Sequence, residues 1–198
     1  MGFSLRKAAG VLLHRFLGPP IVRKLLRTLC PVDYVIRSVD AARDLDSLAS
    51  FGNTLRLSTS ARRARREAFR RELANLDPGR RVFLVAADER GKRSKVLGFV
   101  RVVCQGQDEK KEWWIAGLEV RPIYWRRGVG EALSREVVEY LKEAGVERIN
   151  LSVRETNLLA IELYHKLGFK KEQQPAGRVE GGDSQRMVLD LAGENPTA

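Results

Sequence analysis

Val120-Arg121-Pro122-Ile123-Tyr124-Trp125-Arg126-Arg127-Gly128-Val129-Gly130 runs from the end of an apolar strand, through a short loop, into a helix. The first turn of a helix carries backbone N–H groups without intrahelical partners and a partial positive charge, and glycine there lets an anion approach the main chain closely. Arg126 and Arg127 add fixed charge and bidentate donors beside that turn. Taken alone, the segment reads equally as a phosphate-binding turn or as a tight turn with two solvated arginines, because Gly-x-Gly before a helix is a weak signal.

Downstream, 128–144 reads as a helix: Val129, Leu133, Val137, Tyr140, Leu141 and Ala144 share a face, and Gly145 is placed to end it. Ile149, Leu151 and Val153 alternate as a strand does. Asn157-Leu-Leu-Ala-Ile-Glu-Leu-Tyr-His-Lys-Leu-Gly-Phe169 predicts a helix over 157–167 closed by Gly168. There Asn157 is placed as N-cap, and Tyr164 falls on the apolar stripe of Ala160, Ile161 and Leu167, where by itself it reads as a core tyrosine.

Upstream, strand-like runs at 82–87, 96–104 and 113–120 are separated by polar turns and predict an antiparallel meander. Before them come a strand at 32–37 and a helix near 40–51 with Asp40 as N-cap. A helix over 59–76 follows, with Arg62, Arg66 and Arg70 at i, i+4 spacing until Asp77-Pro78-Gly79 stops it. A last strand is expected at 187–191.

With 198 residues, 43% of them apolar and 31% charged, the chain suits one globular domain with an appendage rather than two domains or wholesale disorder. Its formal net charge of +11 is segmental. Residues 1–32 hold six Lys/Arg and no acid, and residues 61–81 hold eight Arg against three acids, so the remainder balances. Cys30 and Cys104 form no C-x-x-C and have no histidine cluster beside them, which supports neither a disulfide framework nor a metal site and predicts a reducing, cytoplasmic setting. The longest apolar run near the start, Val11-Leu12-Leu13, is too short for a signal-peptide core or a membrane span.

Val-x-Pro-x-x-x-x-x-Gly-x-Gly at 120–130 followed by Asn-x-x-Ala-Ile-x-Leu-Tyr-x-x-x-Gly-Phe at 157–169 resembles the GCN5-related N-acetyltransferase (GNAT) family, over roughly residues 34–191. The resemblance implies an α/β fold of the α+β type. Its sheet would be mixed, mostly antiparallel and six- to seven-stranded, flanked by helices and splayed between the fourth and fifth strands, here 113–120 and 149–153. It also implies acetyl-CoA as co-substrate, with the pantetheine arm between those strands against the main chain of Leu118 and Val120, and the pyrophosphate wrapped by the loop of Arg126, Arg127, Gly128, Val129, Gly130 and Glu131. Asn157 would stand by the cofactor, and Tyr164 would be the general acid for the departing thiolate. Trp125 departs from the family pattern, which usually has Gln or Arg there, so Arg126 or Arg127 is expected to supply the missing side-chain contact.

Direct attack of a neutral primary amine also requires a proton acceptor, and Glu119 is preferred to Glu112 because it adjoins the cofactor-pairing segment. A bulge in its strand would decide which way it faces. The acceptor is expected to be a small-molecule amine, a protein N-terminus or a lysine, and no metal is called for. The expected division is a basic amphipathic extension at 1–31, the N-acyltransferase domain at 32–193 and a tail at 194–198. The extension suits either an anionic membrane surface or packing against the domain, with nucleic acid less favoured, so the expected location is cytoplasmic with a peripheral membrane contact as one option. The competing reading is a catalytically silent module of the same fold that docks on anionic membrane or nucleic acid through its basic segments. The oligomeric state is left open.

Overall fold

Asp40 starts the first helix by accepting hydrogen bonds from the backbone N–H groups of Ala42 (2.8 Å) and Arg43 (3.3 Å). The computed structural model describes residues 32–51, 58–91, 94–106, 111–172 and 183–191. The extension at 1–31 and the tail at 194–198 lie outside these. The described elements run β1 (Val35–Ser38), α1 (Ala41–Ala49), α2 (Thr59–Ala74), β2 (Arg81–Asp88), β3 (Lys95–Gln105) and β4 (Glu112–Val120). After a short turn at Pro122–Tyr124 come α3 (Val129–Glu143), β5 (Arg148–Arg154), α4 (Leu158–Lys166), β6 (Lys170–Lys171) and β7 (Ser184–Asp190).

The seven strands form one sheet in the order β1-β2-β3-β4-β5-β7-β6. Every neighbouring pair is antiparallel except β4 and β5, which run parallel across the α3 crossover. This is the mixed, mostly antiparallel sheet expected above, with the 82–120 meander as its first half. Pairing moved some strand ends. β1 begins at Val35, opposite Ala87, and β7 spans all of β5 from Arg148↔Asp190 to Arg154↔Ser184. The two-residue β6 exists only by pairing with β7 and has no periodicity of its own to read.

Side chains alternate across the sheet and build two cores. On one face, Phe83, Val85, Ala87 and Phe99 pack under Leu45, Leu48 and Phe51 and under Phe69 of α2. Phe99 is the centre, with ring centroids 5.0 Å from Phe51, 5.7 Å from Phe69 and 5.5 Å from Phe83. On the other face, Val100, Val102, Ile149 and Leu151 meet Val129, Leu133, Val137 and Leu141 of α3 together with Tyr164 and Phe169. Each such aliphatic or aromatic side chain contributes about 1.5–3 kcal/mol by leaving water.

Two buried polar contacts anchor α1. Asp44, fully buried, accepts both guanidinium branches of Arg37 at 2.7 and 2.9 Å. Arg121 donates from Nε to the Val96 carbonyl (2.7 Å) and from Nη2 to the Ser47 carbonyl (2.8 Å) and the Ser50 hydroxyl (2.6 Å), while its guanidinium lies 4.3 Å from the Phe51 ring centroid. Because α1 has no basic residue in its own last turn, Arg121 supplies the cation that its C-terminal carbonyls lack.

Candidate active site

β4 and β5 pair only through Trp113↔Ile149, Trp114↔Asn150 and Ile115↔Leu151, although both strands continue past these rungs. Two local features end the pairing. The β3–β4 register shifts between Arg101 and Val102, so that Ala116 is an extra residue and β4 bends there. Buried Asn150 clamps the last rungs, donating to the Trp113 carbonyl (3.2 Å) and accepting from Arg186 (2.9 Å). Beyond Ile115 the strands separate into a V-shaped cleft, the splay expected between strands 4 and 5.

The free edge of β4 can be assigned from its hydrogen bonds. The Arg121 N–H donates to the Leu97 carbonyl, so it points toward β3. Alternation then turns the main-chain groups of Val120 and Leu118 toward the cleft. In agreement, the Val120 carbonyl accepts a 2.6 Å hydrogen bond from the indole N–H of Trp125 rather than from β3. Trp125 thus covers the mouth of the cleft, half exposed, and offers no charged group to an anion.

The turn that follows is shaped for an anion. Arg126 has φ 62° and Gly128 φ 86°, both left-handed, with Arg127 between them outside that region. Such alternation directs successive N–H groups toward one point. A left-handed arginine costs about 1–2 kcal/mol, a strain found where function demands it. Among the described helices of eight or more residues, side chains cap α1 (Asp40), α2 (Ser58) and α4 (Asn157), while α3 begins at Gly128 with no side-chain cap. Its first turn therefore lacks the side-chain acceptor that the N-cap residue supplies to the other three. The Nε atoms of Arg126 and Arg127 are buried without a hydrogen-bond partner beside it. A buried, unsatisfied guanidinium N–H is costly and marks a group awaiting an acceptor. An uncapped helix, a left-handed loop and two orphaned guanidinium N–H groups fit a diphosphate.

The sequence-predicted residues fall around this turn as follows. A Cβ on Gly130 would lie 3.5 Å from Val120, 3.7 Å from Leu163 and 3.9 Å from Leu118, so the helix start touches both β4 and α4. Val129 is buried and contributes only its main chain. The Glu131 carboxylate holds Lys166 of α4 at 2.6 Å and Arg135 at 3.4 Å, so its side chain ties the start of α3 to α4. Asn157 caps α4 through Ala160 N–H (3.3 Å). Tyr164 is buried in the α3–α4 core with its ring edge-on to Phe169 at 5.5 Å, and burial pushes its phenol up to about 12.

Glu119 faces the opposite side, toward α2. It pairs there with Arg65, whose Nη2 reaches its two oxygens at 3.2 and 2.9 Å, and not with the adjacent Arg121. The strand's pleat puts both Glu119 and Arg121 on the Phe99 face, but the Arg121 guanidinium is already held by Ser47 and Ser50 at the C-terminal end of α1, which leaves Glu119 to Arg65 of α2. Sequence reading missed Arg101 and Asn150. Their one signal was a charged or amide residue inside an otherwise apolar strand, and only pairing shows what each meets. Cys104 is buried, as its strand predicts. No metal-binding cluster of His, Cys, Asp and Glu occurs among the described residues.

The described residues thus bring together a cleft between two diverging parallel strands, a helix start without a side-chain cap and a buried tyrosine. The model of the Acetyltransferase (GNAT) family matches residues 48–169, and the chain belongs to that family. Its sequence is 41% identical over 54 residues to the ribosomal protein bS18-alanine N-acetyltransferase of Escherichia coli strain K12, covering 27% of this chain and 36% of that protein. It is 30% identical over 93 residues to the mycothiol acetyltransferase of Renibacterium salmoninarum, covering 45% of this chain and 26% of that one. The aligned part of the chain thus spans only about a third of the length of these curated relatives. The fold is shared with Arabidopsis thaliana NAA60 in complex with acetyl-CoA, at TM-score 0.60 and 21% identity over 81% of this chain and all of that one.

Proposed function

We propose that this protein transfers an acetyl group from acetyl-CoA to a primary amine by direct attack. The observation that carries the reading is the open β4–β5 cleft placed against the uncapped start of α3. Acetyl-CoA would supply an activated acyl group with a thiol leaving group. The N–H groups of Gly128, Val129, Gly130 and Glu131, with Arg126 and Arg127, hold the diphosphate. The main-chain groups of Leu118 and Val120 pair with the extended pantetheine as an added strand would. Tyr164, on the α3–α4 side, holds a proton at its phenol oxygen for the leaving sulfur. Glu119, on the α2 side, accepts the proton that the amine loses. Acid and base then flank the cleft from opposite faces of the sheet, each near a different end of the bond being exchanged. A protein N-terminus is a natural acceptor class, since one relative is named for acting on an alanine of a ribosomal protein.

Thermal melting of the full chain with acetyl-CoA tests the binding half. At about 100 times its dissociation constant the ligand should stabilise the fold by about 2.7 kcal/mol, read as a rise in Tm. An unchanged Tm at millimolar acetyl-CoA would refute the reading. Release of free thiol with an acceptor panel of amino acids, polyamines and peptides tests the transfer half.

The arginines give a separate expectation. Arg126→Gln and Arg127→Gln each remove charge-assisted hydrogen bonds to phosphate, worth about 1.5–3 kcal/mol. Each should therefore raise the Kd for acetyl-CoA by about 10- to 100-fold, while binding of acetyl-pantetheine, which lacks the diphosphate, changes little. Equal losses for both ligands would place these arginines elsewhere.

A further inference from the structure

Arg101 lies on the α2 face of the sheet, opposite the bulged stretch of β4. Ile115↔Leu151 is the last rung between β4 and β5, Ala116 is the bulge, and Gly117 is the next residue, paired to Arg101 on β3. The guanidinium of Arg101 lies over Gly117 so closely that a Cβ there would be 2.9 Å from Nη2, 3.4 Å from Nε and 3.6 Å from Cζ. A side chain at this position would push the guanidinium aside, so the glycine leaves Arg101 room to lie flat over β4.

The guanidinium is held in place by Glu72 of α2, which accepts from Nη1 at 3.1 and 3.4 Å, and by the Phe99 ring, 5.6 Å from Cζ. Its Nε is buried with no hydrogen-bond partner, and the side chain remains about 29% exposed. On the same face and two residues along β4 lies Glu119, its Cα about 7 Å from that of Gly117. The opposite face of the sheet at this point is filled by the α3–α4 core, including Val100, Val102 and Tyr164. Among the described residues, Arg101 and Glu119 flank the head of the cleft on the α2 side.

We infer that Arg101 reads a carboxylate on the acceptor, and that the acceptor class is a primary amine that also carries a carboxylate. Resting on the acetyltransfer proposed above, this adds the identity of the substrate class. The amine is drawn to Glu119 while the carboxylate meets the exposed side of Arg101. The same side of the molecule carries further positive charge, with Arg62 and Arg63 of α2 exposed. A peptide with an acidic residue at its second position is of this class, and so is a free dicarboxylic amino acid.

The test compares kcat/KM on the full chain for peptides Ala-Glu-Ala, Ala-Gln-Ala and Ala-Lys-Ala and for free glutamate and glutamine, at saturating acetyl-CoA. Expected is at least a tenfold preference for the acidic member of a series, carried by KM, with the favoured series showing whether the source is peptide or amino acid. Arg101→Gln should reduce that ratio to within about twofold while leaving the acetyl-CoA-induced rise in Tm intact, and Arg101→Lys should restore part of it. Equal kcat/KM for acidic and amide acceptors in the wild-type chain overturns the assignment, whether or not the variants fold. Loss in Arg101→Gln of all acceptors alike, with the Tm rise retained, overturns it as well. Failure of acetyl-CoA to raise the wild-type Tm would instead bring down the acetyltransfer reading beneath it.

Discussion

Replacing Tyr164 by Phe is expected to lower kcat by about two orders of magnitude or more, the range in which a general acid contributes. The KM for acetyl-CoA should stay within about threefold and Tm within a few degrees. Packing of the ring against Phe169 and the α3–α4 core survives the substitution, so only the hydroxyl is lost. Without it the departing thiolate would be left in a partly dehydrated cleft with no donor from α4, and the barrier to C–S cleavage rises. Because burial pushes the phenol up to about 12, it stays protonated throughout the neutral range. The wild-type rate should therefore show no tyrosine ionisation below about pH 10. Unchanged kcat together with a large fall in Tm would make Tyr164 a core tyrosine and nothing more.

Asp44→Ala should destabilise the fold by about 3–5 kcal/mol, the cost of breaking a buried ion pair by removing one partner. Asp44 is fully buried and receives Arg37 at 2.7 and 2.9 Å, the Asp40 N–H at 2.8 Å and the Ser94 hydroxyl at 3.0 Å. Without it Arg37 keeps only Glu89 and the Ser38 carbonyl among its stronger partners, and the N-terminal turn of α1 loses its link to β1. The pH dependence has a definite sign. Burial, the largest single influence, pushes the Asp44 carboxyl up, but the hydrogen bonds from Arg37, Asp40 and Ser94 together with the Arg37 charge outweigh it and hold it below the usual carboxylate range. A folded-state value below the unfolded one, about 3.9, means that this contribution is fully present above that pH. It is lost as pH falls through the lower, folded value. Urea melts of wild type and Asp44→Asn should differ most near pH 7 and converge as the solution becomes strongly acidic. A gap that does not change between pH 7 and pH 3 would show that the charge of Asp44 contributes nothing.

Much of the fold is written in local pattern. The stripe of Val129, Leu133, Val137 and Leu141, the alternation of Ile149, Leu151 and Val153, and the caps at Asp40 and Asn157 each depend on neighbours a few residues away, and each appears where the spacing puts it. The anion-shaped turn at 126–130 is equally local. What blurred was anything that needs a distant partner: the start of β1, the extent of β7, and the existence of β6. Charged side chains blurred most. Arg62, Arg66 and Arg70 of α2 read as one stripe, yet in the fold Arg66 crosses to Asp46 of α1 and Arg70 folds back onto Glu67, while Arg65, off that stripe, reaches Glu119 of β4.

By itself the sequence determined the order and kind of nearly all described elements and the two segments that place the chain in its family, because helical and strand periodicity and glycine placement act over a single turn or rung. Only the tertiary structure decided which face Glu119 takes, that Ala116 forms the bulge that parts β4 from β5, and that Arg101 lies over Gly117 at the head of the cleft. Those facts follow from strand register and from close packing between residues far apart in the chain. A one-residue shift of register turns every side chain to the other face, and nothing in local composition prevents it.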